Sequence, residues 1–419
     1  MNENLVFGLF LLVPCVCGAG LLLFARQVKK RPGPARWGLL ILGNALMLLF
    51  LLSIGFAAGE GYFRFVYDTT DSLDFTRVCQ RWVERYWRVN TWHCRDDLSY
   101  AFRIQPGKRR VTFLGDSFTT GHGIKRIEDR FANRLRRAHP EWEIHVLARN
   151  GFDTGSEIAG LREVLAKGYQ LQDVVLVYCL NDVADMQPEY SQMLAHVAAE
   201  VARAGWFRRN SYLADFVYCR YRAWRDPHMK DYYPFVRDAY RGPLWEQQKE
   251  RLKFLRDLVR SQGGQLSVVT FPFLHALGPA YPWQFVHDEL GQLWRDLNVP
   301  HLDLLPVFAN LPPARLTVNR FDAHPNEFAN QLAAEAIDRF LSATVQPASP
   351  APGATEASRQ HVLSYSATLG LTYVILRSAD LQARDGINTN VAASNPVVFQ
   401  DHSATASLAY YRVLRLPSP

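Results

Sequence analysis

The sequence predicts an α/β domain with a central parallel sheet, preceded by two transmembrane helices and followed by a small β module. Three observations lead to this fold class. Two long apolar runs occupy the N-terminal part of the 419-residue chain. From residue 108 onward, short apolar runs alternate with segments of helical spacing, a pattern typical of a parallel sheet covered on both faces. After a stretch rich in Pro, Ala, Ser and Thr, the composition turns to strand-forming residues.

The two apolar runs, Leu5–Phe24 and Trp37–Phe56, contain no charged residue. Each has the roughly 20 residues that a helix needs to cross a bilayer. A cleaved signal peptide is the alternative for the first run, but the residues before it carry Glu3 and no Lys or Arg. Residues 1–58 are therefore predicted to be a membrane anchor. The partner of this region is the membrane bilayer.

The connector between the two runs is basic, with Arg26, Lys29, Lys30, Arg31 and Arg36. Positively charged connectors stay in the cytoplasm, so the remainder of the chain is expected outside it. This predicts a protein of the bacterial cytoplasmic (inner) membrane with a periplasmic domain. The net charge of +7 does not indicate nucleic-acid binding, because the other Lys and Arg residues are spread along the chain and no nucleic-acid-binding motif occurs.

Residues 59–107 form a juxtamembrane segment rich in aromatic and basic residues. Its aromatic side chains suit either a membrane–water boundary or a cap on the domain that follows. The segment also holds Cys79 and Cys94, and a disulfide between them is predicted on the basis of the oxidising compartment. No C-x-x-C pair occurs among the six cysteines, which argues against a zinc or redox site.

Residues 108–342 carry the alternating pattern. Five strands are predicted at Val111–Leu114, Ile144–Ala148, Val174–Tyr178, Leu266–Phe271 and His301–Leu304, with helices at Ile127–Ala138, Gly155–Ala166 and Glu327–Leu341. A long aromatic stretch at 188–263 interrupts the alternation and is interpreted as a cap on the sheet that supplies one pocket wall, or else as a lid. Residues 343–359 have linker composition, and 360–419 are predicted to form the small C-terminal β module.

A candidate nucleophile lies in Gly115-Asp116-Ser117, directly after the first strand and before a helix. A serine at that position lies at the carboxyl end of a strand, where ligands of parallel sheets bind. Backbone N–H groups at the helix start can stabilise an oxyanion there. Asp116 is expected to be a local hydrogen-bond acceptor. His122, five residues after the serine, is expected on the helix surface, with a position in the pocket wall as the alternative.

A serine hydroxyl needs a base, and the base needs an acceptor that orients it. Asp322-Ala323-His324, in a predicted loop before the last helix, supplies both. His324 is suited to accept the Ser117 proton, and Asp322 to hold the other ring nitrogen. Gly151 and Asn181 follow the second and third strands, where a backbone N–H and a side-chain amide can complete an oxyanion hole together with the Ser117 N–H. Asp182, beside Asn181, is expected to be a local acceptor.

With these four blocks in order, residues 108–342 resemble the SGNH hydrolase (GDSL-type esterase/lipase) superfamily. The resemblance implies a three-layer α/β/α, flavodoxin-like SGNH domain and ester hydrolysis without a metal or cofactor. Two blocks differ from the usual pattern. Cys179-Leu180 precede Asn181 where Gly-x is common, and one residue separates Asp322 from His324 where two are common. The tighter spacing resembles membrane-associated bacterial SGNH proteins and some polysaccharide O-acetyltransferases.

The sequence therefore predicts a serine hydrolase that acts on an ester substrate, such as an acylated glycan or a lipid. Deacetylation of polysaccharide is the first expectation, because it suits the predicted compartment. Two alternatives stay open: a polysaccharide O-acetyltransferase, in which a sugar hydroxyl replaces water, and a membrane-anchored scaffold without catalysis. The acyl group, the alcohol and the oligomeric state are not defined by any motif.

Overall fold

The computed structural model describes residues 3–30, 37–230 and 232–344, and beyond these 361–365, 368, 371–378, 385–391, 397–401 and 410–415. The chain divides into two compact units, Met1–Thr344 and Val345–Pro419. Most of the predicted linker 343–359 and part of the basic connector, including Arg31 and Arg36, lie outside the described residues.

Two long helices begin the first unit, α1 (Glu3–Lys29) and α2 (Trp37–Gly61). Both are long and apolar enough to cross a membrane. They pack against each other through small residues: Gly18 faces the Phe50 ring, and Gly43 faces the Phe24 ring. Most of their other side chains are exposed, and Leu52, for example, is 61% exposed. Such an apolar outer surface suits lipid rather than water.

The centre of the first unit is a five-stranded parallel sheet. Its strands are β1 (Arg109–Gly115), β2 (Trp142–Ala148), β3 (Asp173–Cys179), β4 (Gln265–Phe271) and β5 (His301–Asp303). Their order is β2-β1-β3-β4-β5, and every pairing is parallel. This is the flavodoxin-like order, in which the chain reverses direction across the sheet between β1 and β3. The predicted fold class is confirmed.

Helices cover both faces of the sheet. They include α5 (Phe131–Ala138), α6 (Thr154–Ala166), α12 (Pro243–Ser261), α13 (Gln284–Asp296) and α15 (Glu327–Thr344). Helix α5 packs against α15, and α6 packs against α12, which gives two helical layers around one sheet. Strand residues such as Phe113, Val175 and Val268 are fully buried, as expected for apolar strands between two layers.

The juxtamembrane segment packs onto this domain. A π-helical turn (Tyr62–Val66) and helix α3 (Arg77–Tyr86) lead from α2 into it, and Trp82 is fully buried. Of the two interpretations of its aromatic residues, the cap therefore applies to Trp82. Tyr62 stays 49% exposed beside the end of α2.

The predicted disulfide between Cys79 and Cys94 is wrong, since both cysteines are free and buried. The Cys79 thiol donates to Oδ1 of Asp74 (3.0 Å), whereas the Cys94 thiol contacts the carbonyl of Trp92 (3.6 Å). Each thiol thus has a partner close to it in sequence. Closeness of two cysteines along the chain did not bring their side chains together.

The aromatic insertion between β3 and α12 is helical. It contains α7 (Pro188–Ala202), α8 (Trp206–Asn210), α9 (Tyr212–Arg225), α10 (Pro227–Lys230) and α11 (Tyr232–Ala239). Tyr240, which follows α11, is buried, and its hydroxyl bonds to that of Tyr178 in β3 (2.7 Å). At the other end, α9 packs against α2 and α3. The insertion therefore contacts both the sheet and the N-terminal helices.

The remaining elements of the first unit are α4 (Ser117–Thr120), α14 (Leu305–Phe308) and the antiparallel pair β6 (Thr317–Asn319) and β7 (Asp322–Pro325). The second unit is antiparallel. It has a three-stranded sheet, β10 (Asp385–Val391), β9 (Thr372–Ser378) and β12 (Tyr410–Arg415), and a pair of β11 (Val397–Asp401) and β8 (His361–Tyr365).

Candidate active site

Ser117 is the first residue of α4, immediately beyond the carboxyl end of β1. The Asp116 side chain caps this short helix and accepts the backbone N–H of Phe118 (2.9 Å), as expected of a local acceptor. The turn from β1 into α4 requires glycine at position 115, because a Cβ there would lie 2.1 Å from Oγ1 of Thr119 and 3.1 Å from the carbonyl of Val177. The chain therefore turns sharply and leaves Ser117 half-buried at the edge of the sheet.

Asp322 and His324 lie on β7, whereas the sequence predicted a loop. The pairing of β7 with β6 extends the chain, and in an extended strand residues i and i+2 point to the same side. This explains the short Asp-x-His spacing. Nδ1 of His324 is 2.5 Å from Oδ1 of Asp322, and Nε2 is 2.8 Å from Oγ of Ser117.

The hydrogen-bond partners define the proton positions. A carboxylate only accepts, so Nδ1 of His324 carries the proton that faces Asp322. Nε2 is then the acceptor of the Ser117 hydroxyl. Burial opposes ionisation of Asp322, but the charge of His324 and the hydrogen bonds from His122 and His324 hold its pKa well below the usual range. The carboxylate is thus ready to stabilise an imidazolium, which is the arrangement that activates a serine.

The second oxygen of Asp322 is held by residues that the sequence analysis did not identify. The Thr70 hydroxyl, from the juxtamembrane segment, donates to Oδ2. Nε2 of His122 lies 3.5 Å from the same atom. Thr70 is about 250 residues from Asp322 and belongs to no motif, so only the folded chain could reveal it. The segment from 67 to 76 is consequently part of the site.

His122 is not on the helix surface, as the sequence predicted, but only 1% exposed. Its Nε2 faces the carbonyl of Asp71 (3.2 Å) and Oδ1 of Asp74 (3.4 Å), and its Nδ1 faces the side-chain amide of Asn150 (3.0 Å). Burial lowers the pKa of His122, but the hydrogen bond and charge of Asp322 and the charge of Asp74 outweigh burial and raise it to about 9. His122 is thus a buried member of the hydrogen-bonded group around Asp322.

Gly151 and Asn181 lie at the same edge of the sheet as Ser117. Gly115 in β1 is in register with Ala148 in β2 and with Val177 in β3, so β1 and β2 end together and β3 runs two residues further at the same edge. Gly151 has a φ of +73°, a conformation that favours glycine and leaves its N–H free of a side chain. Asn150 is tied to the Ser117 helix, because its Oδ1 accepts from the Thr120 hydroxyl (2.8 Å).

Asn181 is the second residue of the 3₁₀ segment Leu180–Met186, which follows β3 directly. Its Oδ1 is buried and has no hydrogen-bond partner among the described residues. The neighbouring Asp182 is buried and accepts from the Thr154 hydroxyl (3.4 Å), in line with the local role expected of it. Together, the site has a hydrogen-bonded Ser–His–Asp row and three candidate oxyanion donors along one sheet edge, namely the N–H groups of Ser117 and Gly151 and the Asn181 amide.

Two groups in this region have metal-ligand spacing, namely Asp74, Cys79 and His122, and His122, Asp322 and His324. Their donor atoms are joined to one another by hydrogen bonds, as between the Cys79 thiol and Asp74 and between His324 and Asp322. We therefore assign the cluster to hydrogen bonding. The chemistry it offers is proton transfer at the Ser117 hydroxyl.

Comparison with known proteins gives the following. No protein-family model matches the chain, and no curated protein sequence matches it. Several solved structures are similar to it. They include Axe2, an acetylxylan esterase from Geobacillus stearothermophilus (17% identity, 57% of this chain and 96% of that one, TM-score 0.35). They also include the esterase EstA from a Pseudoalteromonas species (13% identity, 56% of this chain and 100% of that one, TM-score 0.35). An extracellular lipase from Streptomyces rimosus is similar as well (14% identity, 57% of this chain and 100% of that one, TM-score 0.35).

Proposed function

We propose that this chain is a membrane-anchored serine hydrolase of the SGNH type that cleaves ester bonds. The observation that carries the proposal is the continuous hydrogen-bonded row from Ser117 through His324 to Asp322. The fold supports it, since the sheet has the flavodoxin-like strand order that the resemblance implies and the four sequence blocks follow β1, β2, β3 and β6 in turn.

The proposed reaction has two halves. In the first, Oγ of Ser117 attacks the acyl carbonyl while Nε2 of His324 takes the hydroxyl proton. The oxyanion of the tetrahedral intermediate accepts hydrogen bonds from the N–H groups of Ser117 and Gly151 and from the Asn181 amide. The imidazolium then returns its proton to the alcohol oxygen as the C–O bond breaks. This leaves the acyl group on Ser117.

In the second half, a water molecule replaces the alcohol. Nε2 of His324 takes a proton from the water, the hydroxide adds to the acyl carbon, and the proton passes to Oγ of Ser117 as the free acid departs. Asp322 stays ionised throughout and compensates the positive charge of the imidazolium. A sugar hydroxyl in place of that water would convert the same site into an O-acyltransferase.

The proposed location is the outer face of a bacterial inner membrane, with α1 and α2 crossing the bilayer. The basic connector supports this orientation, because it carries Arg26 and Lys29 at the end of α1. Esters within reach of a periplasmic domain include acylated glycans and lipids. We take acetylated polysaccharide as the first substrate to test.

The test uses the full chain in a mild detergent. The wild-type protein should react covalently with a fluorophosphonate probe and hydrolyse an aryl acetate. Ser117→Ala should lose the labelling and lower kcat by roughly 10⁴–10⁶. Ser261→Ala removes an exposed hydroxyl on α12, far along the sequence from the site, and should behave as wild type.

If folded Ser117→Ala kept near-full esterase activity, the proposed mechanism would be wrong. Release of free acetate from an acetylated glycan supports hydrolysis. Transfer of the acetyl group to an added oligosaccharide, without free acetate, would assign the site to acyl transfer instead.

A further inference from the structure

A cleft of about 600 Å³ lies where the N-terminal helices meet the insertion. None of the residues that line it belongs to the candidate active site. The residues that line it are Arg77, Gln80, Val201, Ala204, Trp206, Arg208, Arg209, Asn210 and Asp215. Arginine, amide and tryptophan side chains in one cleft suggest an anion with an apolar neighbour.

The cleft adjoins the apolar helices through α8. The ring of Phe207 lies 6.0 Å from that of Phe10 in α1 and 5.7 Å from that of Phe56 in α2, and the Trp206 ring lies 6.3 Å from Phe10. Helical rise places Phe10 about 10 Å from the start of α1 and Phe56 about 8 Å from the end of α2. Trp206 and Phe207 therefore reach one to two turns down the apolar helices.

These ends of α1 and α2 are held at the same level. Nη1 of Arg64, just beyond α2, donates to the carbonyl of Glu3 (3.2 Å), and its Nη2 donates to the carbonyl of Asn210 (2.5 Å). Where α1 and α2 cross a bilayer, this level is the headgroup region of the leaflet that faces the domain. Trp206 and Phe207 are 52% and 51% exposed, which suits aromatic residues at a membrane interface.

The charge of the cleft is positive. Three arginines line it against one carboxylate, Asp215, which pairs with Nε of Arg208 (3.3 Å). Arg77 pairs at the rim with Glu3 (3.2 Å). Within the part of the chain that the structure describes, the Arg209 guanidinium forms no ion pair. Arg209 is exposed, so its charge remains available to a ligand.

We propose that this cleft binds the phosphodiester headgroup of an anionic phospholipid in the leaflet next to the domain. The inference rests on the proposed function in one respect, namely that α1 and α2 cross the membrane. Guanidinium groups such as that of Arg209 bind phosphate oxygens by paired hydrogen bonds, and the Gln80 amide adds a neutral donor. Trp206 and Phe207 beside them contact the start of the acyl chains. A free phosphate ion is also an anion, but it has no apolar part that could contact these two aromatic rings.

The experiment titrates the full-length protein, purified in a neutral detergent, with phosphatidylglycerol, phosphatidylcholine or inorganic phosphate. Native mass spectrometry counts bound lipid, and a thermal scan reports stabilisation. We expect saturable binding of phosphatidylglycerol that phosphatidylcholine and millimolar phosphate do not reproduce. Arg209→Gln should weaken that binding by roughly fivefold, the effect of one basic residue near a membrane surface.

Arg225→Gln is the matched control, because it removes an exposed arginine of α9 that does not line the cleft. Equal binding of both lipids, or equal weakening by the two variants, would overturn the proposal. Stabilisation by inorganic phosphate at the same concentration as by the lipid would also overturn it. Fluorophosphonate labelling of the same samples tests the serine-hydrolase mechanism separately from lipid binding, because lipid selectivity is measured whether or not Ser117 reacts.

Discussion

His122 allows a quantitative prediction, because it is buried against two carboxylates behind the proposed triad. We consider His122→Gln, which keeps a side chain able to donate to Asp322 but removes the titratable ring. As an imidazolium, His122 donates from both nitrogens. Its Nε2 faces the carbonyl of Asp71 and the carboxylates of Asp74 and Asp322, which favour the charged form. Its Nδ1 faces the side-chain nitrogen of Asn150, which also donates to Oδ2 of Asp74 (3.1 Å) and favours a neutral ring that accepts at Nδ1. The pH dependence of stability distinguishes the two forms.

The magnitude follows from linkage. The pKa of His122 is raised from about 6.5 in the unfolded chain to about 9 in the folded one. A raised pKa stabilises the folded protein fully below about pH 6.5, and this contribution is lost as the pH rises through about 9. At about 1.4 kcal/mol for each pKa unit, it is on the order of 3 kcal/mol.

The assay compares the thermal midpoints of the wild type and His122→Gln in detergent across pH 5 to 10, so that the effects of other titrating groups cancel in the difference. The variant should melt several degrees below the wild type at pH 6, and the gap should narrow by pH 9.5. His139→Gln is the control. His139 also pairs with carboxylates, Asp338 and Glu141, but more of it is exposed, and the pairs at such sites contribute little.

Two results would refute this reasoning. A gap between wild type and His122→Gln that does not change from pH 6 to 10 would mean that folding does not raise the pKa of His122. A gap that widens as the pH rises from 5 to 6.5 would mean that burial outweighs the carboxylates and lowers the pKa of His122. In either case Asp322 would be held by Thr70 and His324 without a second positive charge.

Two further predictions concern the oxyanion hole and the topology. Asn181→Ala should lower kcat by roughly 10²–10³ with little change in KM for an aryl ester, because one of three oxyanion donors is lost; a near-wild-type rate would remove Asn181 from the hole. A reporter that is active only in the cytoplasm, fused after Ser342, should be silent in a bacterial host, whereas strong activity would reverse the proposed orientation.

The sequence determined those features that depend on local pattern. Apolar runs without a polar stripe indicated the two long helices, and short apolar runs between helical segments indicated the parallel sheet, because burial on both faces requires them. The sequence also indicated Ser117, Asp322 and His324 as a candidate triad, and the structure brings their side chains within hydrogen-bonding distance. Each stands in a short motif, and the carboxyl ends of parallel strands meet at one edge.

Tertiary structure alone decided how the site is completed. Thr70 reaches Asp322 from the juxtamembrane segment, and His122 turns inward instead of lying on a surface, where it contacts Asp71 and Asp74 of the same segment. The same packing separates Cys79 from Cys94. Ser117 and His324 are also far apart in the chain, but each stands in a recognisable motif; Thr70 and His122 stand in none, so no pattern in a single sequence could reveal their contacts with Asp322.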